Sequence, residues 1–284
     1  MKRLSDFTES AALYALSFEA NVTPKPGLVD RNNTGAHKDM TLCMLIESAK
    51  AIAPFVGQCA QAGFDTKNAS FESAFHALRA LGLQAEKAML SVTGGVNTHK
   101  GAIYCFCLLS GAFGRLQGEK GITPECILNT ASLLAQKASD ASLARALQAP
   151  VTHGDIAFQK ARLSGARGEA IAGYPSILHI ALPALERAMQ DGFSENDAGV
   201  YALLSLISKV DDTCIYSRGG SEGLSFAKSL AAEALQADFV KKVYQIDALF
   251  IQQRLSPGGC ADLLAAAMFI KRLIQSKWEE YTCE

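Results

Sequence analysis

Apolar residues return every three or four positions through most of this 284-residue chain, in segments rich in Ala, Leu, Glu, Lys and Gln. Alternating runs of β-branched residues are almost absent. A period near 3.6 predicts helix, and the lack of period two predicts no sheet. The pattern places helices near 5–21, 38–61, 70–91, 98–116, 124–138, 140–148, 155–163, 169–190, 195–209, 222–236, 238–253 and 258–276. Punctuation falls between them. Thr123-Pro124 reads as an N-cap followed by proline at the first helical position. Ser194-x-x-Asp197 reads as an acidic capping box, and Ser256-Pro257 as another cap and first turn. The segment 98–116 is apolar on most faces, through Ile103, Phe106, Leu108, Leu109 and Phe113. Such a helix belongs in the middle of a core. No low-complexity linker or internal repeat divides the chain. The expectation is one all-α domain over 1–284, a multi-helix bundle-like array with its functional loops gathered at one pocket.

Charge and composition remove some classes of function. Lys and Arg number 27 against 28 Asp and Glu, so the basic excess of a nucleic-acid binder is missing. The longest apolar stretch, 101–114, is shorter than the roughly 20 residues that span a bilayer. The first helix carries Asp6 and Glu9 and reads as amphipathic, not as a signal peptide. Eight cysteines include no Cys-x-x-Cys pair, and they read as small core residues with reduced thiols. The expectation is a cytoplasmic protein with no nucleic-acid or membrane partner. Homo-oligomerisation stays open.

The candidate chemistry lies in six loops that mix glycine with charged or amide residues. Thr23-Pro-Lys-Pro-Gly-Leu-Val-Asp30 holds Lys25 between two prolines, which push their predecessors out of the α region. Gly35-Ala-His-Lys-Asp-Met40 offers His37 and Asp39 as base, orienter or metal ligand, although Asp39 also suits a first helical turn. Thr93-Gly-Gly-Val-Asn-Thr-His-Lys-Gly101 places Asn97, Thr98, His99 and Lys100 at a helix start. Thr98 is the expected cap there, and free N–H groups face an anion. The spacing is not that of a Walker loop. Gly165-Ala-Arg-Gly-Glu-Ala170 offers Arg167 for bidentate phosphate contact and Glu169 at the next helix. Asp211-Asp-Thr-Cys-Ile-Tyr-Ser-Arg-Gly-Gly220 pairs hard carboxylates with Arg218, Gly219 and Gly220. Ser256-Pro-Gly-Gly-Cys-Ala-Asp-Leu-Leu264 opens the last helix with Asp262 in its first turns. Each loop has a plain structural reading as a connector, cap or surface pair. No His-Glu-x-x-His motif occurs, His37, His99 and His153 lie in or beside polar loops, and His76 and His179 fall within helical runs.

Six such motifs in this order, over roughly residues 10–270, resemble the triphosphoribosyl-dephospho-CoA synthase family, which serves citrate lyase, with relatives serving malonate decarboxylase. Cys214 stands where the family usually has asparagine, and Cys260 where it has a small hydroxyl residue. The resemblance implies a transferase that joins ATP, as substrate, to 3′-dephospho-CoA and releases adenine. Its product would pass to an acyl-carrier-protein transferase.

The resemblance also implies roles. Lys25, Lys100, Arg167 and Arg218, with Asn97, Thr98, Thr213, Gly219 and Gly220, would hold the phosphates. Mg²⁺ would sit among Asp39, Glu86, Asp212 and Asp262. Asp39 is the first candidate base and His37 the second; Glu86 and Glu169 would face a positively charged ribose, and His99 would protonate adenine. Two other readings stand beside this one: a Mg²⁺-dependent hydrolase of nucleotides or ADP-ribosyl groups, and a carrier-protein accessory factor that only binds a CoA derivative.

Overall fold

A computed structural model describes residues 4–137, 163 and 165–275. The first half contributes α1 (Leu4–Asn21), α2 (Leu42–Asp65), α3 (Phe71–Val92), α4 (Lys100–Arg115) and α5 (Pro124–Gln136). The second half contributes α6 (Gly165–Ile171), a π-helical turn (Ile177–Ala181), α7 (Leu182–Gln190), α8 (Glu195–Lys209), α9 (Thr213–Leu235), α10 (Phe239–Gln252) and α11 (Gly258–Gln275). No strand occurs among the described residues. The expected helices 140–148 and 155–163, and His153, lie outside the described residues save Leu163.

The apolar segment recognised in the sequence is the central helix. From Ala102 to Gly114 of α4, only Tyr104 escapes full burial. The helix packs against α1, α2, α3, α5, α6 and α11. Phe106 stacks on Phe269 of α11 with centroids 4.7 Å apart. Truncating such a buried ring costs about 3–5 kcal/mol. Backbones touch where α2 crosses α4: a Cβ on Gly63 would lie 2.1 Å from the Gly111 carbonyl oxygen, and one on Gly114 would lie 1.9 Å from that of Ala60.

Local signals set several helix ends as expected. Thr123 Oγ1 accepts from the Cys126 N–H, and Ser194 Oγ accepts from the Asp197 N–H. Other boundaries moved. Helix α2 starts four residues late, at Leu42 behind the Thr41 cap. The expected helix 169–190 is broken: Gly173 and Tyr174 both have positive φ, Pro175 follows, and a π turn intervenes before α7. Residues 213–220, expected as loop, are the first turns of α9 and end at a non-helical Gly220.

Helix α2, not the stretch 101–114, is the described segment long and apolar enough to cross a membrane by length and composition. In this fold it packs against α1, α3 and α4, and 44% of its apolar window is buried.

Candidate active site

Several helix N-termini meet at one place. A Cβ on Gly101, in the first turn of α4, would lie 2.0 Å from Asp262 Oδ2 of α11. One on Gly258 would lie 3.2 Å from Cys214 Sγ at the start of α9, and one on Gly259 would lie 3.1 Å from Asp212 Oδ2. Gly165, opening α6, packs against Thr213. The starts of α6, α9 and α11, with Cys105 from the second turn of α4, therefore line a cleft of about 410 Å³, whose walls include Glu169, Asp211, Asp212, Thr213 and Asp262. Unpaired N–H groups and aligned peptide dipoles make such a convergence favourable to anions.

The two aspartates differ in duty. Asp212 is 2% exposed. Its Oδ1 accepts the N–H groups of Cys214 and Ile215, and its Oδ2 accepts that of Cys260 at 2.8 Å. It caps α9 and ties it to α11. Among the described residues Asp262 accepts only the Ala102 N–H. Burial, then the nearby charges of Glu19 and Asp212, push its carboxyl well above the usual range. Burial also raises Asp212, against the three amides.

Behind α4 lies a buried polar cluster. Lys25 is 1% exposed, and its Nζ donates to Glu19 Oε1 at 2.5 Å and to the Glu19 carbonyl at 2.7 Å. Expected to grip phosphate, Lys25 instead has its ammonium bound to Glu19 inside the protein. His99 is buried beside this pair, and burial lowers its pKa to about 4, with Glu19 opposing and Lys25 assisting. A neutral imidazole with that pKa carries no proton for adenine near neutrality. His99 occupies the N-cap position of α4 without capping it; Asn97 Oδ1 takes the Lys100 N–H, and the Thr98 hydroxyl, expected as the cap, donates to Ser48.

A second group lies along α9. His37 Nε2 is 2.8 Å from Ser256 Oγ, and His37 Nδ1 is 3.7 Å from Asp39 Oδ1. Ser256 thus serves His37, not the α11 cap. Burial and then the Arg218 charge lower the His37 pKa, and Asp39 opposes them. Arg218 reaches the carbonyls of Ala36 and Arg254 at 3.4 Å. The loop carrying His37 is held from below. Asp247 accepts the Gly27 N–H and the Asn33 amide, while Asp30 accepts the N–H groups of Lys25, Asn32 and Asn33. Cys214 joins the two groups, feeling both Asp262 and Arg218.

The remaining candidates are less buried. Lys100 Nζ is 2.5 Å from Glu86 Oε1, and its side chain is half-exposed. Arg167 is exposed on α6. Glu169 accepts from the Ser176 hydroxyl at 2.6 Å and from its N–H at 3.3 Å. Gly219 packs on Leu255, and Gly220 takes a positive φ that breaks the helix.

The four carboxylates assigned to Mg²⁺ do not converge. Among the described residues no three His, Cys, Asp or Glu side chains form a metal-holding group. Asp212 is saturated by amides, Glu86 is paired with Lys100, and Asp39 lies on the exposed side of His37. Of the four, Asp262 lines the cleft and accepts a single backbone N–H among the described residues, which leaves it acceptor capacity. One carboxylate with phosphate oxygens and water is a donor set that suits Mg²⁺.

Sequence reasoning missed Glu19, Ser48, Ser176 and Asp247. Glu19 and Ser48 sit on the buried faces of α1 and α2, and a polar residue on an apolar face was the available signal. Asp247 meets Gly27 and Asn33 across more than 200 residues, and Ser176 meets Glu169 across the helix break at Gly173-Tyr174.

Fold and site together define an all-helical enzyme whose polar cleft is built from helix N-termini, a form suited to polyanionic nucleotides. Residues 5–281 match the family described as "CitG: ATP:dephospho-CoA triphosphoribosyl transferase". The chain belongs to that family of transferases. It is 38% identical over 264 residues to a Pectobacterium carotovorum protein named "Probable 2-(5''-triphosphoribosyl)-3'-dephosphocoenzyme-A synthase", covering 92% of this chain and 87% of that one. It is 37% identical over 255 residues to a Pectobacterium atrosepticum protein with the same name without the qualifier, covering 89% and 84%. A Vibrio cholerae relative is 37% identical over 272 residues, covering 93% and 87%. No solved structure matches the chain. Family membership supports triphosphoribosyl transfer, with ATP and dephospho-CoA as substrates, and gives no support to the hydrolase alternative.

Proposed function

We propose that the cleft between the starts of α4, α9 and α11 is where ATP meets 3′-dephospho-CoA. The observation that carries this reading is the contact of Gly101 with Asp262 and of Gly259 with Asp212, which sets the start of α4 against the α11 wall of a cavity lined by the starts of α9 and α11. The positive ends of those helix dipoles would face the triphosphate, with the cations Lys100, Arg167 and Arg218 as its side-chain partners.

The transfer breaks the bond between the ribose C1′ and adenine N9. The 2′-hydroxyl of dephospho-CoA forms the new bond at C1′, and the triphosphate is carried over intact. The His37–Asp39 pair takes the hydroxyl proton; a base in reach typically contributes 10²–10⁴-fold. Adenine leaves with the old bond's electron pair and takes its proton from water, and the His37–Asp39 pair returns the hydroxyl proton to solvent, so the protons balance. Glu169, held by Ser176, sets a negative charge on the wall facing the ribose as positive character develops. Asp262 is the residue that would hold Mg²⁺, which would arrive with the triphosphate and offset its charge.

The product goes on to an acyl-carrier-protein transferase for the prosthetic group of citrate lyase or a related enzyme. We place the protein in the cytoplasm, where its seven described cysteines stay as free thiols.

The test is a mixture of protein, ATP, Mg²⁺ and 3′-dephospho-CoA resolved by chromatography. Adenine formed in step with a heavier CoA product is expected. Inorganic phosphate without adenine would refute the transfer.

A further inference from the structure

Ser48 has no part in the chemistry above, yet it is fully buried in α2 against the ring of His99. Thr98 Oγ1 donates to Ser48 Oγ at 2.7 Å. Ser48 Oγ is also 2.7 Å from His99 Nδ1, and with Thr98 as its donor its own proton is free to go to that nitrogen. Nδ1 is thereby an acceptor. In a neutral imidazole the ring proton must then sit on Nε2. That nitrogen is buried and has no hydrogen-bond partner among the described residues. Native proteins seldom leave a buried donor unmatched, so an unmatched one two residues before Gly101, which touches Asp262 of the cleft wall, invites a ligand acceptor.

The surroundings keep this donor in place. The His99 backbone N–H is taken by Met89 Sδ at 3.2 Å. Gly101, two residues on, lies against Asp262 of the cleft wall. Lys25 and Glu19, the charged groups that act on the ring, are bound to each other. Burial keeps the imidazole neutral near pH 7, and a neutral ring can polarise a substrate atom without releasing a proton.

We propose that Ser48 and Thr98 are positioning residues that lock His99 in its Nε2–H tautomer, and that this N–H donates to a lone pair of the bound nucleotide. The inference rests on His99 lying in the active site as read above. No bond forms or breaks at His99; it contributes a fixed hydrogen bond.

The experiment uses the full chain labelled with ¹⁵N-histidine, with Mg·ATP as the probe and dephospho-CoA withheld. His99 should show a proton-bearing Nε2 and a bare Nδ1, and saturating ATP should shift the Nε2–H resonance. Ser48→Ala should mix the tautomers and lower kcat/KM for ATP at least tenfold, and Ser48→Thr should restore both. His99→Gln, which keeps an N–H near the ε position, should retain at least tenfold more activity than His99→Asn. An acid role would lose activity equally in both. A wild-type His99 protonated on Nδ1, or an Nε2–H unmoved by bound ATP, overturns the proposal. Absence of ATP binding altogether overturns instead the placement of the active site. If Ser48→Ala does not fold, the wild-type spectra and the two His99 variants still decide.

Discussion

Asp212 Oδ2 accepts the backbone N–H of Cys260 at 2.8 Å while its Oδ1 caps α9. One carboxylate thus fixes how α9 and α11 start relative to each other, and with them two walls of the cleft. Asp212→Asn keeps one acceptor oxygen but turns an NH₂ toward a buried amide. One N–H loses its partner, and a buried unsatisfied group costs about 1–3 kcal/mol. Urea unfolding should show that loss with an unchanged m-value. A variant as stable as the parent would remove Asp212 from its structural role.

The sequence carried the local part of this fold. Thr123 and Ser194 cap helices three residues away, so their partners lie within one turn of the reading frame. The centrality of α4 followed from its apolar faces. Segment 213–220 was read as loop because Asp211, Asp212 and two glycines resemble turn chemistry. The structure uses Asp212 as a cap, and helix resumes after it. The break at Gly173-Tyr174-Pro175 had visible signals that the flanking helical period outweighed. The candidate site was legible as a set of motifs. The partnership of Lys25 with Glu19, or of Asp212 with Cys260, was not, because burial and tertiary distance decide which charges face a ligand.

Gly27 has φ +69°, and a Cβ there would lie 2.1 Å from the Leu255 carbonyl oxygen. Both the backbone conformation and the space are closed to other residues. Gly27→Ala should cost at least about 3 kcal/mol, in the range of strained-backbone and overpacking variants. It should also detach the loop bearing His37. Chemical denaturation measures the first effect, and amide exchange at 28–36 reads the second. Parental stability would show that the close packing on Leu255 is dispensable.

Asp262 separates folding from catalysis. Its carboxyl is raised well above the ordinary range by burial and by Glu19 and Asp212. The folded state therefore holds a proton that the unfolded chain gives up near pH 4. Stability falls as pH rises from that value toward the raised folded pKa. Asp262→Asn removes this slope while keeping an acceptor for the Ala102 N–H. The variant should match the parent's stability near pH 4, exceed it at pH 7, and lose at least about a hundredfold in kcat, the scale of one removed electrostatic contact to the reacting charge. Full turnover in the folded variant would rule out Asp262 as a participant.

His99 gives the opposite slope. Its pKa is about 4 in the folded protein against 6.5 unperturbed. Below pH 6.5 the unfolded chain takes up a proton that the folded ring refuses, so stability drops as pH falls toward about 4. The full difference is roughly 3 kcal/mol. His99→Gln should flatten this part of the stability–pH curve. Equal slopes for parent and variant between pH 6.5 and 4 would mean that His99 is not buried as a neutral ring.

The His37–Asp39 pair makes the catalytic proposal testable at the bench. Burial and Arg218 both lower the His37 pKa, so this ring is neutral and able to accept a proton at pH 7. Its Nε2 faces Ser256, and Asp39 lies 3.7 Å from Nδ1. If the ring takes the proton of the attacking hydroxyl, Asp39 steadies the imidazolium that results. His37→Asn should lower kcat by about 10²–10⁴. Asp39→Asn should lower it less and shift the acidic limb of the rate–pH profile downward, because Asp39 opposes the two lowering influences on His37. If Asp39 is itself the base, the order reverses: Asp39→Asn becomes the more damaging change, and the limb disappears with it. Measuring kcat from pH 5 to 8 for both variants assigns the proton to one residue or the other. A folded double variant with parental kcat would remove both from the mechanism.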